Sequence, residues 1–332
     1  MVRKAGEKPA GEGVMLMGAR AHVREYMNKF IRLSERDGEK EESEKLQLWS
    51  IGIYSGKDPW SLEPVKKINP VLTRRDVKDV QALFIADPFM IRVGETWFMF
   101  FEMWNVKNGK GEIGLASSGD GRKWTYQQRV LAEPFHLSYP YVFQWEDEYY
   151  MIPESHQAND IRLYKAADFP VSWTLVGMII SGHRFADASI FRHDEKWWLL
   201  TETNPEMKHD TLRLYSSPAL GGPWQEHPQS PVISGNPHIA RPAGRVLKVD
   251  GKIIRFAQDC FPVYGIRVRA FAIEELTEHS YRERQIGEQA VLQPSGKGWN
   301  QGGMHHLDAH IRDDGSWIAC VDGWKFVSPS GQ

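Results

Sequence analysis

Polar residues that could bind or transform a ligand recur at one position of repeated apolar segments. Asp87, Tyr139 and Asp187 each stand 15 residues before the glutamate that closes such a segment. Carboxylates gathered around a narrow opening can hold a polyhydroxylated ligand through paired hydrogen bonds. An aspartate beside a turn can instead cap backbone N–H groups. The shared position in alternate segments favours ligand binding over capping.

The closing acids form a second recurring set. A residue type that every segment shares more often serves the scaffold than one site, so we expect a structural role for most of them. Glu154 and Asp259 are the two that we place towards the site. The set consists of Glu102, Glu154, Glu202, Asp259 and Asp322.

Cations and imidazoles are expected at the matching positions of the fourth and fifth segments. Aligning the turns gives a predicted ring of Asp87, Tyr139, Asp187, Arg241, His306 and Asp308. Arg241, Arg245 and the histidines, His305 included, could also bind phosphate. Three ligands within four residues of one strand point to alternating faces, so we predict no metal and no other cofactor.

The segments that carry these residues are pairs of apolar strands around a tight polar turn. Their starts differ by 53, 47, 54 and 66 residues, close to the period of a four-stranded propeller blade. The five copies are ADPFMIRVGETWFMFFE from Ala86, YPYVFQWEDEYYMIPE from Tyr139, ADASIFRHDEKWWLLTE from Ala186, ARPAGRVLKVDGKIIRFAQD from Ala240 and HLDAHIRDDGSWIACVD from His306.

Outer strands are predicted from a second kind of segment, which follows the first four hairpins but not the fifth. IGIYSGKDPW, from Ile51, has the same form and precedes the first hairpin. We therefore predict an all-β, five-bladed β-propeller in which N-terminal strands complete the last blade and close its edge.

The propeller is expected over residues 47–326, between a charged extension at 1–46 and a tail at 327–332. Within the extension, Val23, Met27, Phe30 and Ile31 recur at helical spacing, which predicts a short amphipathic helix.

Composition narrows the class of protein. A formal charge of -2 gives no reason to expect nucleic acid as a partner. The two cysteines are too few for a disulfide framework, and no apolar run is long enough for a membrane span. A cytoplasmic protein is the expectation.

Several motifs resemble a known family. ADPFM, the LSYPYVF to MIPES stretch, IRLYKAADFPVSW, ARPAGR, the AQDC to YG stretch and HHLD are similar to the N-terminal region of plant glucosamine inositolphosphorylceramide transferases and to free-standing bacterial relatives. The resemblance covers about residues 47–324. The plant enzymes place their glycosyltransferase chemistry in a C-terminal domain outside it, which implies a possible glycosyltransferase partner for this chain.

More distantly, the predicted architecture resembles the five-bladed glycoside hydrolases of families 32, 43, 62 and 68. That resemblance implies a general base at Asp87 and an orienting or pKa-tuning partner at Asp187. The hydrolases take a glutamate acid from the fourth blade, where this chain has Arg241, and an arginine cannot serve as that acid. Glu154, Glu202 or Asp259 is then the replacement acid.

Three hypotheses of function follow. The first is a carbohydrate-active protein that hydrolyses or transfers a glycosyl group at the mouth of the central channel. The second is a glycan-binding or sugar-phosphate-binding module without turnover, working with a glycosyltransferase. The third is a scaffold without a ligand, which the cost of an unsatisfied polar ring disfavours.

Overall fold

A computed structural model describes residues 46–327 of the chain. Within this range the strands form five antiparallel sheets of four strands each, which are the blades of a β-propeller. The predicted all-β, five-bladed fold is confirmed. The predicted amphipathic helix lies outside the described residues.

The last blade combines strands from both ends of this range. The first two strands are β1 (Leu46–Gly56) and β2 (Leu62–Pro64). β1 pairs along its whole length with the final strand, from Leu46 opposite Val327 to Gly56 opposite Trp317. N-terminal strands therefore complete the fifth blade, as predicted.

The other blades follow chain order from the channel outwards. Blade 1 contains β3 (Ala82–Val93), β4 (Thr96–Asn105), β5 (Lys110–Ser118) and β6 (Thr125–Leu131), and blade 2 contains β7 (Ser138–Trp145), β8 (Glu148–Glu154), β9 (Asp160–Asp168) and β10 (Ser172–Ser181). Blade 3 contains β11 (Ala186–His193), β12 (Lys196–Glu202), β13 (Leu212–Ser217) and β14 (Gln225–Glu226). Blade 4 contains β15 (Leu247–Val249), β16 (Lys252–Asp259), β17 (Arg267–Leu276) and β18 (Tyr281–Gln285), and blade 5 adds β19 (Leu307–Ile311) and β20 (Trp317–Val327) to β1 and β2. Two 3-10 helices lie at His156–Ala158 and Gly298–Asn300.

The hydrophobic core lies between neighbouring blades, and β4 shows why its sequence is apolar without alternation. Met99 and Phe101 pack in the cluster shared with blade 5, whereas Phe100 packs in the cluster shared with blade 2. Successive side chains of a strand point to opposite faces, so a strand covered on both faces is apolar at every position. The run WFMFF is the result.

Both cysteines are free, and Cys320 is fully buried among apolar side chains between blades 5 and 1. Among residues 46–327, no helix has the length and apolar character needed to cross a membrane. The cytoplasmic location stays a prediction.

Candidate functional site

The innermost strands of three blades share one backbone irregularity in their first half. The pairing register shifts after Ala86 in β3, after Ser138 in β7 and after Ala186 in β11. The next residues, Asp87, Tyr139 and Asp187, have φ of 53°, 46° and 52°. A non-glycine residue is uncommon in this left-handed region. The shared conformation lies at the end of the channel that we call the channel mouth. Asp87 and Asp187 keep their side chains there, whereas the Tyr139 side chain extends to Ser189 and Gly244 of the next two blades.

Asp87 is the blade 1 residue at the channel mouth. Its Oδ2 accepts the backbone N–H of Tyr139 at 3.3 Å, and its Oδ1 lies 3.7 Å from His305 Nε2 and 3.8 Å from His306 Nδ1. Burial raises the pKa of Asp87 to about 6, against an opposing effect of His305. Such a carboxyl group changes charge near neutral pH.

Asp187, in blade 3, is bonded through one oxygen only. Its Oδ2 accepts Arg241 Nε and Gln258 Nε2, each at 2.6 Å. Its Oδ1 is buried and has no hydrogen-bond partner. A buried acceptor without a partner is costly, which makes it a place where a ligand hydroxyl would be stabilised.

Arg241, from blade 4, is surrounded by protein partners. Besides Asp187, it contacts Glu154 Oε2 at 3.3 Å and His209 Nδ1 at 3.0 Å, and it lies over the Tyr264 ring at 5.1 Å. The structure therefore brings Arg241 to the channel mouth, where it lies between the carboxyl groups of Asp187 and Glu154. Little of the guanidinium remains for an anionic ligand.

Glu154, at the end of β8, also has both oxygens engaged. His156 Nδ1 lies 2.6 Å from Oε1, and the backbone N–H of Asp187 donates to Oε2 at 3.1 Å. Burial opposes ionisation, but His156 and Arg241 outweigh it and hold the pKa of Glu154 well below its usual range. An anion held in this way is poorly suited to donate a proton.

Glu202, at the end of β12, has the opposite character. Its Oε1 accepts the backbone N–H of Asn204 at 2.7 Å, while its buried Oε2 has no hydrogen-bond partner and lies 3.9 Å from Arg184 NH1. Burial raises the pKa of Glu202 to about 7. Because an N–H group occupies Oε1, a proton on this side chain belongs on Oε2.

Asp259, at the end of β16, is bonded to residues of its own blade and to His238 in the segment that precedes that blade. Its Oδ1 lies 2.8 Å from His238 Nδ1 and accepts the Phe261 N–H at 3.3 Å, and its Oδ2 accepts Arg269 NH2 at 3.1 Å. Both oxygens have partners, so this third candidate acid offers no free oxygen to a ligand.

Four predicted residues form a second group, which packs and bonds across neighbouring blades and which we call the channel interior: Tyr139, Arg245, His306 and Asp308. Arg245 Nε donates to Asp308 Oδ1 at 2.7 Å, and its NH2 donates to the carbonyls of Val142 at 2.8 Å and Met90 at 3.3 Å. This arginine joins blade 4 to blades 5, 2 and 1. The pair with Asp308 holds the pKa of that acid below its ordinary range, although burial opposes the shift.

Tyr139 and His306 complete the channel interior. The Tyr139 hydroxyl lies 2.8 Å from Ser189 Oγ and accepts the Gly244 N–H at 2.6 Å, so it joins blade 2 to blades 3 and 4. His306 packs edge-on against Phe89 and Tyr139, and neither ring nitrogen has a hydrogen-bond partner. Burial lowers the pKa of His306 to about 4, so its imidazole is neutral.

His305, unlike His306, belongs to the channel mouth. Its ring stacks on Trp49 with centroids 4.0 Å apart, and its Nδ1 lies 2.8 Å from Asp322. The structure thus separates two adjacent histidines that the predicted site treated together.

Among the described residues, two groups of three side chains could hold a metal ion, because the possible ligand atoms of each group lie within 4.8 Å of one another. The groups are His136–Glu154–His156 and Asp87–His305–Asp322. His136 Nδ1 already accepts the Gly111 N–H at 2.8 Å, and backbone N–H groups bond to Asp322. These lone pairs are used in hydrogen bonds, so the donor sets do not favour a metal. The expectation of a metal-free site stays a prediction.

Sequence reasoning missed several side chains at the channel mouth. Gln258 and Tyr264 stand inside the AQDC to YG stretch, and His156 stands two residues after Glu154. Polar residues beside a closing acid were the available signal. The missed residues are Trp49, His136, His156, Arg184, His209, Gln258 and Tyr264.

Comparison with known proteins gives close relatives in sequence. Residues 41–324 match the family model described as glucosamine inositolphosphorylceramide transferase 1, N-terminal. The chain is 36% identical over 311 residues to glucosamine inositolphosphorylceramide transferase 1 of Oryza sativa subsp. indica, covering 85% of this chain and 40% of the relative. The Arabidopsis thaliana protein of that name is 34% identical over 301 residues, covering 84% and 39%. The chain thus spans about two fifths of the curated relatives that it matches.

Solved structures are similar in fold. The β-1,2-mannobiose phosphorylase from Listeria innocua matches with a TM-score of 0.59 at 14% identity, covering 82% of this chain and 96% of that one. The exo-β-1,3-galactanase 1,3Gal43A from Clostridium thermocellum matches with a TM-score of 0.54 at 14% identity, covering 72% and 60%. The predicted family resemblance is confirmed by the family model and the curated relatives. The chain belongs to the family of the N-terminal region of glucosamine inositolphosphorylceramide transferase 1.

Proposed function

We propose that the channel mouth binds a glycan and that the protein hydrolyses or transfers its terminal glycosyl group. One observation carries the proposal: Asp187 Oδ1 and Glu202 Oε2 are buried carboxyl oxygens without hydrogen-bond partners, whereas both oxygens of the neighbouring acids Glu154 and Asp259 are hydrogen-bonded. Two such oxygens at the channel mouth suit the hydroxyl groups of a sugar.

In this proposal Glu202 is the general acid and Asp87 the general base. Glu202 gives its Oε2 proton to the glycosidic oxygen as the bond to the anomeric carbon breaks. Asp87 removes a proton from the water or acceptor hydroxyl that attacks that carbon, so charge and protons balance over the step. With pKa values of about 7 for Glu202 and about 6 for Asp87, acid and base forms coexist near pH 6.5.

Asp187 has a supporting role. Arg241 and Gln258 fix its Oδ2, which leaves Oδ1 to accept a sugar hydroxyl in a defined direction. Arg241 replaces the fourth-blade glutamate of the hydrolases that the fold resembles. Because it pairs with Asp187 and Glu154, we assign it to organising these acids rather than to gripping an anion.

The second candidate is a non-catalytic glycan-binding or sugar-phosphate-binding module that works beside a glycosyltransferase. Its support is that the relatives are named as transferases while this chain spans about two fifths of them. In that case the same free oxygens would hold the glycan without turnover.

The test is an NMR time course with a panel of aryl glycosides, amino-sugar glycans and sugar phosphates. Wild type is compared with Glu202→Gln, Asp87→Asn and the control Asp160→Asn, which alters a buried acid paired with Arg162 outside the site. We expect new anomeric signals with wild type and the control, and a loss of about 10²-fold or more in both site variants.

Ligand line broadening without product in all four proteins would instead favour the binding module. Turnover that persists in Glu202→Gln would remove Glu202 from the mechanism. A panel that neither binds nor reacts would contradict both candidates.

A further inference from the structure

Asp322, at the blade 5 side of the channel mouth, is surrounded by N–H donors. Its oxygens accept the backbone N–H groups of Asp87 at 3.0 Å, His305 at 3.2 Å and His306 at 3.0 Å. The His305 Nδ1 adds a fourth contact at 2.8 Å. Asp322 is fully buried, and these contacts, His305 foremost, keep its pKa lowered against the effect of burial. The side chain is therefore a fixed anion.

That anion also fixes the neighbouring imidazole. Since ionised Asp322 accepts, His305 Nδ1 must donate. The opposite ring nitrogen, Nε2, lies 3.7 Å from Asp87 Oδ1. Stacking on Trp49, with an interplanar angle of 28°, holds the plane of the ring, and Tyr264 packs against it edge-on at 5.4 Å. The imidazole has little freedom to turn away from Asp87.

Blade 2 provides an internal comparison. Glu154 accepts the backbone N–H of Asp187 just as Asp322 accepts that of Asp87. In both cases a closing acid of the preceding blade fixes an aspartate with positive φ. Blade 5 differs because a histidine, His305, stands between its closing acid and the carboxylate of the next blade.

We propose that Asp322 and His305 form a positioning pair that holds Asp87 in place and sets the charge that Asp87 presents to a ligand. The proposal rests on the proposed function, because it assigns a supporting pair to the candidate base. Asp322 acts through the backbone of Asp87 and through His305, so neither residue needs to touch the ligand.

The electrostatics of Asp87 make the pair testable. Beside burial, the charged and titratable groups that act on Asp87 include His305, Asp322, Arg241 and Glu154. The others that face it are His306 at 3.8 Å, Glu102, Asp187 and Tyr264. The negative charge of Asp322 raises the pKa of Asp87, whereas His305 lowers it. Substitutions of the two partners should therefore move Asp87 in opposite directions.

The experiment is a carboxyl ¹³C NMR titration of aspartate-labelled protein, with the Asp87 signal assigned from Asp87→Asn. We expect a midpoint near 6 in wild type, higher by about one unit in His305→Asn and lower by about one unit in Asp322→Asn. His305→Asn keeps a side-chain N–H for Asp322, so the anion retains a partner. Asp160→Asn is the control and should leave the midpoint unchanged.

Equal midpoints in wild type and both variants, or shifts in one direction, would overturn the proposal. If Asp322→Asn does not fold, His305→Asn alone decides the outcome. The titration requires neither ligand nor turnover, so its result is separate from that of the glycan panel. A panel without binding, together with opposite shifts, would contradict the proposed function and leave the positioning pair in place.

Discussion

The channel mouth and the channel interior both bury charged groups, yet they satisfy them differently. In the interior, Asp308 and Arg245 pair with each other, and Arg245 also bonds to two carbonyls of other blades. At the mouth, Asp187 and Glu202 each keep one buried oxygen without a partner. The difference teaches that burial of charge is not itself a mark of function. Among the buried acids, an incomplete set of hydrogen bonds distinguishes Asp187 and Glu202 at the mouth from Asp308, which joins the blades through both of its oxygens.

Arg245→Met tests the interior and has the largest expected effect. Removing the guanidinium leaves Asp308 as a buried anion whose remaining hydrogen-bond contacts are the Met90 N–H and His310. We expect a loss of about 3–5 kcal/mol in the free energy of unfolding, measured by urea denaturation. Glycan affinity of the folded protein should not change. A loss below about 1 kcal/mol would contradict the assignment of Arg245 to stability.

Glu202→Gln tests the mouth, and above neutral pH it should increase the free energy of unfolding rather than decrease it. Burial moves the pKa of Glu202 from an ordinary 4.5 to about 7 in the folded protein, so folding favours the protonated form. The stability that this gives is complete below pH 4.5 and is lost as pH rises through 7. Gln does not ionise, so the variant should exceed wild type by up to about 3 kcal/mol at pH 8 and match it near pH 4.5.

The measurement is urea unfolding of both proteins at the two pH values. A variant that is less stable than wild type at pH 8 would show that Arg184, 3.9 Å from Glu202 Oε2, stabilises the ionised carboxylate more than burial destabilises it. Glu202 would then resemble the paired acids of the interior, and the contrast between mouth and interior would not hold for this residue.

Tyr139→Phe sharpens the comparison with a smaller effect. The lost hydroxyl leaves the Gly244 N–H and Ser189 Oγ without one partner each. We expect a loss of about 1–2 kcal/mol in the free energy of unfolding, with glycan affinity unchanged. A selective loss of affinity at unchanged stability would move Tyr139 from the interior to the site.

Much of the fold could be predicted from the sequence because each blade repeats a strand pair around a polar turn. The equal spacing of Asp87, Tyr139 and Asp187 from their closing glutamates corresponds to one shared bulge in the structure. Local spacing of this kind is set by strand geometry alone, so counting residues along the chain is sufficient.

Which of the two groups each side chain joins could not be predicted in the same way. The fourth blade begins with only three residues of regular inner strand, Leu247–Val249, and the segment before it bends through Gly244. A side chain at Gly244 would place its Cβ 1.8 Å from the Leu307 carbonyl oxygen. This close approach of blades 4 and 5 puts Arg245 in the interior while Arg241 stays at the mouth. An alignment of hairpin turns does not show how closely two blades approach each other.

The sequence also could not show which of the candidate acids keeps an oxygen without a hydrogen bond. Glu154, Glu202 and Asp259 all close hairpins, and their surroundings come from other blades or from loops. His156 folds back onto Glu154, and Arg269 and His238 converge on Asp259. Glu202 Oε2 has only Arg184 NH1 nearby, at 3.9 Å and without a hydrogen bond, a difference that tertiary packing creates.

The pairing of β1 with β20 also sets an order in time. Inner hairpins of all five blades can form from neighbouring residues as the chain leaves the ribosome, whereas residues 46–56 must wait for residues 317–327. Such a distant contact carries a large loop-closure cost and forms late in folding. Asp322 lies in that late strand, so the support of Asp87 arrives with ring closure. During synthesis the first strand is an exposed edge, and a chain that stops before β20 would have blades without a completed site.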